Sequence, residues 1–138
     1  MTIKDYLAQV KALEYSIENK KDTIISLRDL ANKTTQNLTG MPHVSSQSQS
    51  RVSEAVCKMI DVEQSLREDE AALVSLKMLM RDAIEEVEPA KYRKVLYKRY
   101  VRDMSIDAIG DELLCSARNV QRLLAPAKAV LEIILEKK

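Results

Sequence analysis

The sequence has few of the residues on which small binding sites and catalytic centres depend. Its 138 residues include two Gly, two Cys, one His and no Phe or Trp. Because Gly40 and Gly110 are isolated, a Gly-rich phosphate-binding loop is excluded, and a single His excludes a multi-histidine metal site. We therefore expect no cofactor and no metal. No nucleophile, base and orienting group can be assembled from these residues, so the sequence does not indicate an enzyme.

Long apolar runs are also missing. No stretch approaches the roughly 18–20 apolar residues that cross a bilayer, and the first residues carry no apolar signal core. These absences predict a cytoplasmic protein without a membrane partner. In a reducing compartment, Cys57 and Cys115 are expected to be reduced core residues, because both lie in apolar helical patterns.

What the chain does have is apolar residues at heptad spacing. Residues 3–36 contain such a stripe without Gly or Pro, which predicts one long helix. Lys20 is the polar exception in the middle of the stripe. A second long stripe follows later in the chain, and the two helices are predicted to form an antiparallel, coiled-coil-like hairpin. The second stripe consists of Val52, Met59, Leu66, Leu73, Met80 and Val87.

The segment between the two stripes predicts a mobile loop over residues 38–50. It contains Gly40, Pro42 and a Ser/Gln run with nothing to bury. His43 is predicted to be a solvated residue of this loop. Ser50 or Ser53 is expected to cap the second helix.

The formal charge of +1 hides two opposed halves. Residues 1–88 hold 11 basic and 15 acidic residues, a net charge of −4. Residues 89–138 hold 11 basic and 6 acidic residues, a net charge of +5. Since Pro89 also ends a helical pattern, we predict a domain boundary there, with an acidic hairpin over 1–88 and a basic domain over 89–138. The hairpin's charge would keep it away from DNA and free for a protein partner.

The basic domain opens with a helix of one charge sign. Residues 91–102 hold six cations and no acid, so no acid at i+4 balances them. An ordinary solvated face is the alternative interpretation, but clustering of one sign favours contact with an acidic partner. The cations that fall on one stripe of this helix are Lys91, Lys94, Lys98 and Arg102.

The following residues have the layout of a helix-turn-helix. Ser105 is placed to cap a short helix, and Ser116 to cap a second one after a tight connection at Leu114 and Cys115. Arg can donate two bonds to guanine, while Asn and Gln bond both edge atoms of adenine. Ser116 and the N-terminus of the second helix can meet a phosphate. The outward-facing residues of that helix are predicted to be Ala117, Arg118, Asn119, Gln121 and Arg122.

Residues 105–123 resemble region four of the bacterial sigma factors. Core places of that pattern are occupied by Met104, Ile109, Gly110, Val120 and Leu123. The resemblance covers roughly residues 90–125. It implies that residues 117–119, 121 and 122 face the major groove, and that Arg99 and Arg102 flank the phosphates.

Three positions depart from that pattern, and one of them is Asn119, which replaces the usual Thr. Leu114 stands where the family usually has Gly, so the turn is expected to be shaped differently. Pro126 is expected to end or kink the second helix. Beyond it, an apolar tail helix is expected to close the small domain, or to contact the hairpin or a second subunit.

The complete layout is similar to small regulators of phages of Gram-positive bacteria, including late-gene activators of the ArpU/RinA type. This similarity implies a sequence-specific DNA-binding transcription regulator acting in a bacterial host. The hairpin would form a homodimer or contact RNA polymerase. Two alternatives stay open: a factor that binds a host protein through the same scaffold, and a DNA-packaging accessory similar to small terminase subunits.

Overall fold

The computed structural model of the chain describes residues 1–39 and 46–138, and the side chains of residues 1–33 and 49–138. Every regular element in these ranges is helical, which confirms the predicted all-α class with its long N-terminal hairpin. A capping box between Thr2 and Asp5 starts the first helix. The elements are α1 (Ile3–Thr39), α2 (Ser46–Glu85), α3 (Ala90–Leu96), a π-helical segment (Tyr97–Val101), α4 (Ile106–Leu113) and α5 (Ala117–Glu136).

The predicted loop over residues 38–50 is too long. Helix α1 continues through Thr39, and α2 already begins at Ser46, so Ser50 and Ser53 lie inside α2 and do not cap it. Ser and Gln are tolerated in a helix, and a long helix extends readily over them. The rest of the predicted loop, with Gly40, Pro42 and His43, lies outside the described residues.

Close packing divides the chain into two units. One comprises Lys11–Leu73, and the other comprises Met1–Val10 together with Val74–Lys138. This division differs from the predicted boundary at Pro89. The start of α1 and the end of α2 pack with the C-terminal helices, because the apolar residues there are needed to complete a core that α3–α5 begin.

In the unit Lys11–Leu73, a polar contact lies in the seam between α1 and α2. The Nζ of Lys20 lies 2.5 Å from Oδ2 of Asp69, and the Ser16 hydroxyl donates to the same oxygen at 2.6 Å. Ser16 and Lys20 are one helical turn apart, so both reach one residue of α2. Polar residues within an apolar seam specify register, and this contact favours the register in which Ser16 and Lys20 face Asp69. The bonds from Lys20 and Ser16 lower the pKa of Asp69.

We expect this contact to stabilise the hairpin in a pH-dependent way. Because the folded-state pKa of Asp69 lies below its ordinary value of 3.8, the stabilisation is complete above that value and is lost as the pH falls through the lowered pKa. At neutral pH, denaturant unfolding should therefore give wild type a higher free energy of unfolding than Asp69→Asn, and this difference should disappear in acid. If the difference in free energy of unfolding were the same at low pH, the ionised Asp69 contact would not be its source.

The two cysteines differ from expectation. Cys57 is exposed in the hairpin unit and is not a core residue, because the neighbouring Ala55 takes the buried position on α2. Cys115 is half-buried. Both thiols are free.

In the unit formed by Met1–Val10 and Val74–Lys138, helix α5 packs against α3 and α4. Of the two expectations for Pro126, that it ends α5 is wrong, because the helix continues through it to Glu136; that it kinks the helix stays a prediction. Pro126 is exposed, so the carbonyl that loses its hydrogen bond lies on the side of α5 that water can reach. Burial of one apolar face holds both halves in one helix. That face consists of Val120, Leu124, Ala127, Leu131 and Leu135.

Candidate nucleic-acid interface

Helices α4 and α5 form a helix-turn-helix whose two N-termini are capped as the sequence predicts. The Ser105 hydroxyl accepts a bond from the Ala108 amide at 3.1 Å. The Ser116 hydroxyl accepts one from the Asn119 amide at 3.2 Å. Each cap satisfies an amide that has no partner inside its own helix, and together they set where the turn stops and α5 starts.

The turn between these helices has the left-handed shape that glycine adopts most readily. Leu114 has φ 57° and ψ 43°, and the Cys115 amide donates to the Gly110 carbonyl at 2.9 Å. Leu114 thus takes a backbone conformation typical of glycine, at a cost in strain. Its side chain is 92% exposed.

Gly110 allows this turn to lie against α4. A Cβ added there would come within 2.8 Å of the Cys115 carbonyl oxygen, a backbone atom that cannot move without moving the turn. Gly110 is buried and lies within α4. The absence of a side chain at Gly110 therefore leaves room for the backbone of the turn.

Replacing Leu114 by Gly should stabilise the protein by about 1 kcal/mol, because glycine removes the strain of a left-handed leucine. Leu114→Ala is the matched control, since it removes the same exposed side chain but keeps the strained backbone. Thermal unfolding should show a higher midpoint for the glycine variant and little change for the alanine variant. Equal midpoints for the two variants would contradict the strain argument.

The first two turns of α5 carry the residues predicted to read DNA. Ala117 is half-buried against the turn, so it presents less surface than expected. Val120, on the opposite face, is fully buried and holds α5 on the unit's core. The exposed residues are Ser116, Arg118, Asn119, Gln121 and Arg122.

The predicted basic stripe is divided in the structure. Lys91 and Lys94 are exposed on α3. Lys98 and Arg102 instead form ion pairs with one oxygen of Glu112 on α4, Arg102 at 3.2 Å. The bond from Lys98, and then that from Arg102, lower the pKa of Glu112. No acid stands at i+4, as the sequence shows, but Glu112 on another helix balances these two cations. The partner lies 14 residues from Lys98 and could not be found from spacing along one helix.

Arg99 holds the backbone that joins the π-helical segment to α4. One Nη of its half-buried guanidinium donates to the Met104 carbonyl at 2.9 Å. This connection contains Asp103, whose φ is 58°. Arg99 thus helps to place α4.

Comparisons of the chain with protein-family models, with curated proteins and with solved structures found no match. Within residues 1–39 and 46–138, no helix is long and apolar enough to cross a membrane. The same part of the chain contains no group of three His, Cys, Asp or Glu side chains that could hold a metal ion.

Proposed function

We propose that this protein binds double-stranded DNA through α4 and α5 and regulates transcription in a bacterial host. The observation that carries the proposal is the surface at the start of α5. The Ser116 cap fixes where α5 begins, and one face of the helix is buried. The side chains exposed near its start are Arg118, Asn119, Gln121 and Arg122. A helix-turn-helix places the N-terminal part of its second helix in the major groove, and these four side chains can bond base edges there.

Charge supports the same proposal. Arg118 and Arg122 are exposed on α5, and Lys91 and Lys94 are exposed on α3. Such cations supply affinity by neutralising phosphates, and base contacts supply sequence selectivity. Ser116 stands at the N-terminus of α5, where backbone amides favour a phosphate.

The regulatory role rests on the resemblance of residues 105–123 to sigma region four and on the layout shared with phage regulators. In this proposal the hairpin of α1 and α2 supplies the second contact, with another copy of the chain or with RNA polymerase. Its acidic character disfavours contact with DNA and leaves it for a protein.

Electrophoretic retardation of duplex DNA tests this proposal. We expect binding that weakens steeply with salt. Arg118→Ala with Arg122→Ala should lower the affinity for a preferred site by about 1–3 kcal/mol for each lost base contact, with a smaller loss on unrelated DNA.

Arg28→Ala with Arg67→Ala is the matched control for this experiment. It removes the same charge from two exposed arginines of the hairpin unit, and it should leave affinity nearly unchanged. Equal losses for both double variants would remove Arg118 and Arg122 from DNA recognition.

A second candidate function, binding of a host protein, is favoured by exposed apolar side chains. Val74 and Met78 on α2 are each 58% exposed, and they line an open groove of about 200 Å³ together with Val101, Lys77 and Arg81. Exposed apolar surface of this kind is typical of protein contacts. In that case a pull-down would yield a stable complex with a host protein, while selection on DNA would enrich no sequence.

A further inference from the structure

Glu112 stands among the cations that would otherwise contact phosphates. Its Oε1 accepts from the Lys98 ammonium and from an Nη of Arg102. The Lys98 side chain is only 15% exposed, whereas those of Glu112 and Arg102 are 40% and 48% exposed. The solvent-accessible carboxylate of Glu112 therefore neutralises Lys98 and Arg102, which are two of the four cations of the basic stripe.

The location of this carboxylate matters for DNA binding. In helix-turn-helix complexes the first helix of the motif crosses the phosphate backbone, and here that helix is α4. A stripe of four unpaired cations ending beside α4 would bind phosphates of any duplex, with no need for α5 to enter a groove. Pairing Lys98 and Arg102 with Glu112 removes half of that stripe from such binding.

We propose that Glu112 is a specificity-determining residue that suppresses a sequence-independent mode of DNA binding. This inference rests on the proposed function. With Lys98 and Arg102 neutralised within the described part of the chain, the stripe keeps only Lys91 and Lys94 as unpaired exposed cations, while Arg118 and Arg122 stay exposed among the base-reading residues of α5. Contact with DNA is thereby directed to the orientation in which α5 reads bases. Glu112 thus increases specificity by disfavouring the sequence-independent complex with DNA.

The neighbouring carboxylate offers a matched control. Asp111 is exposed on the same helix, and the structure records no ion pair for it among the described residues. Asp111→Asn and Glu112→Gln change the net charge equally. Only the second releases Lys98 and Arg102.

The experiment measures the affinity of the full chain for a random-sequence duplex over a salt series. We expect Glu112→Gln to bind this DNA more tightly than wild type. Its slope of log K against log salt should be steeper by up to about 2, since two cations become able to neutralise phosphates. Asp111→Asn should change the slope by much less. In a background of Arg102→Gln, the gain from Glu112→Gln should shrink, because one released cation is gone.

The outcomes separate this inference from the proposed function. Equal slopes for Glu112→Gln and Asp111→Asn would overturn the role of Glu112, while wild-type binding that depends on Arg118 and Arg122 would leave the proposed function standing. A wild-type chain that retards no duplex even at low salt would overturn both. Circular dichroism of each variant verifies that the helices are intact. If Glu112→Gln unfolds, Arg102→Gln alone provides the test: because Arg102 is already paired with Glu112, its loss should leave the wild-type slope nearly unchanged, and a slope lower by about 1 would overturn the inference.

Discussion

Leu131→Ala is expected to lower the free energy of unfolding of the C-terminal helices by about 2–5 kcal/mol, the range for truncating a buried leucine. Leu131 is fully buried on the face of α5 that packs in the unit's core, beyond Pro126. The residue therefore contributes only if the part of α5 beyond Pro126 packs in this core. Denaturant unfolding followed by circular dichroism measures the loss.

Ile133→Ala is the matched control for this prediction. Ile133 is two residues further along the same helix but is 56% exposed, so its truncation should change stability by no more than about 0.5 kcal/mol. Similar losses for the two variants would contradict the orientation of α5 after Pro126. A negligible effect of Leu131→Ala would mean that the tail does not belong to this core.

Tyr6→Ala is expected to destabilise the same unit by about 3–5 kcal/mol, as for other large aromatic side chains removed from a core. Tyr6 is almost fully buried, and its hydroxyl donates to the Tyr100 carbonyl at 3.0 Å, 94 residues away. Tyr6→Phe keeps the ring and should cost only about 1 kcal/mol, with the Tyr100 carbonyl losing this donor.

Tyr15→Ala is the matched control for Tyr6→Ala. Tyr15 lies on the same helix but is 70% exposed, so its removal should have little effect on unfolding. A boundary at Pro89 with an independent C-terminal domain predicts the opposite for Tyr6: its loss would leave the unfolding of α3–α5 unchanged. Comparing Tyr6→Ala with Tyr15→Ala thus distinguishes a domain boundary at Pro89 from the two units seen in the structure.

Heptad spacing was sufficient to predict the all-α class, the hairpin and its seam. The same spacing places Tyr6 in the seam of α1, but it does not say that Tyr6 reaches Tyr100. Periodicity records which face of a helix is apolar and not what covers that face. The division of the chain into units depends on contacts between residues far apart in sequence, and it differs from a boundary read from Pro89 and charge.

For the candidate site, local chemistry was predictable and long-range chemistry was not. Ser105 and Ser116 cap their helices as expected, because a cap depends on residues within one turn. Glu112 was missed because its partners lie on another element. Pro126 does not end α5, because the propensity of one residue is outweighed by the burial of an entire face.

Selection from a random pool of duplex DNA tests sequence-selective binding by α5 most directly. Wild type should enrich one defined base motif, because Arg118, Asn119, Gln121 and Arg122 present base-bonding groups from one helix. The variant with Arg118→Ala and Arg122→Ala should lose that enrichment. A wild-type pool without any enriched motif, or the same motif enriched by both proteins, would contradict DNA reading by this helix.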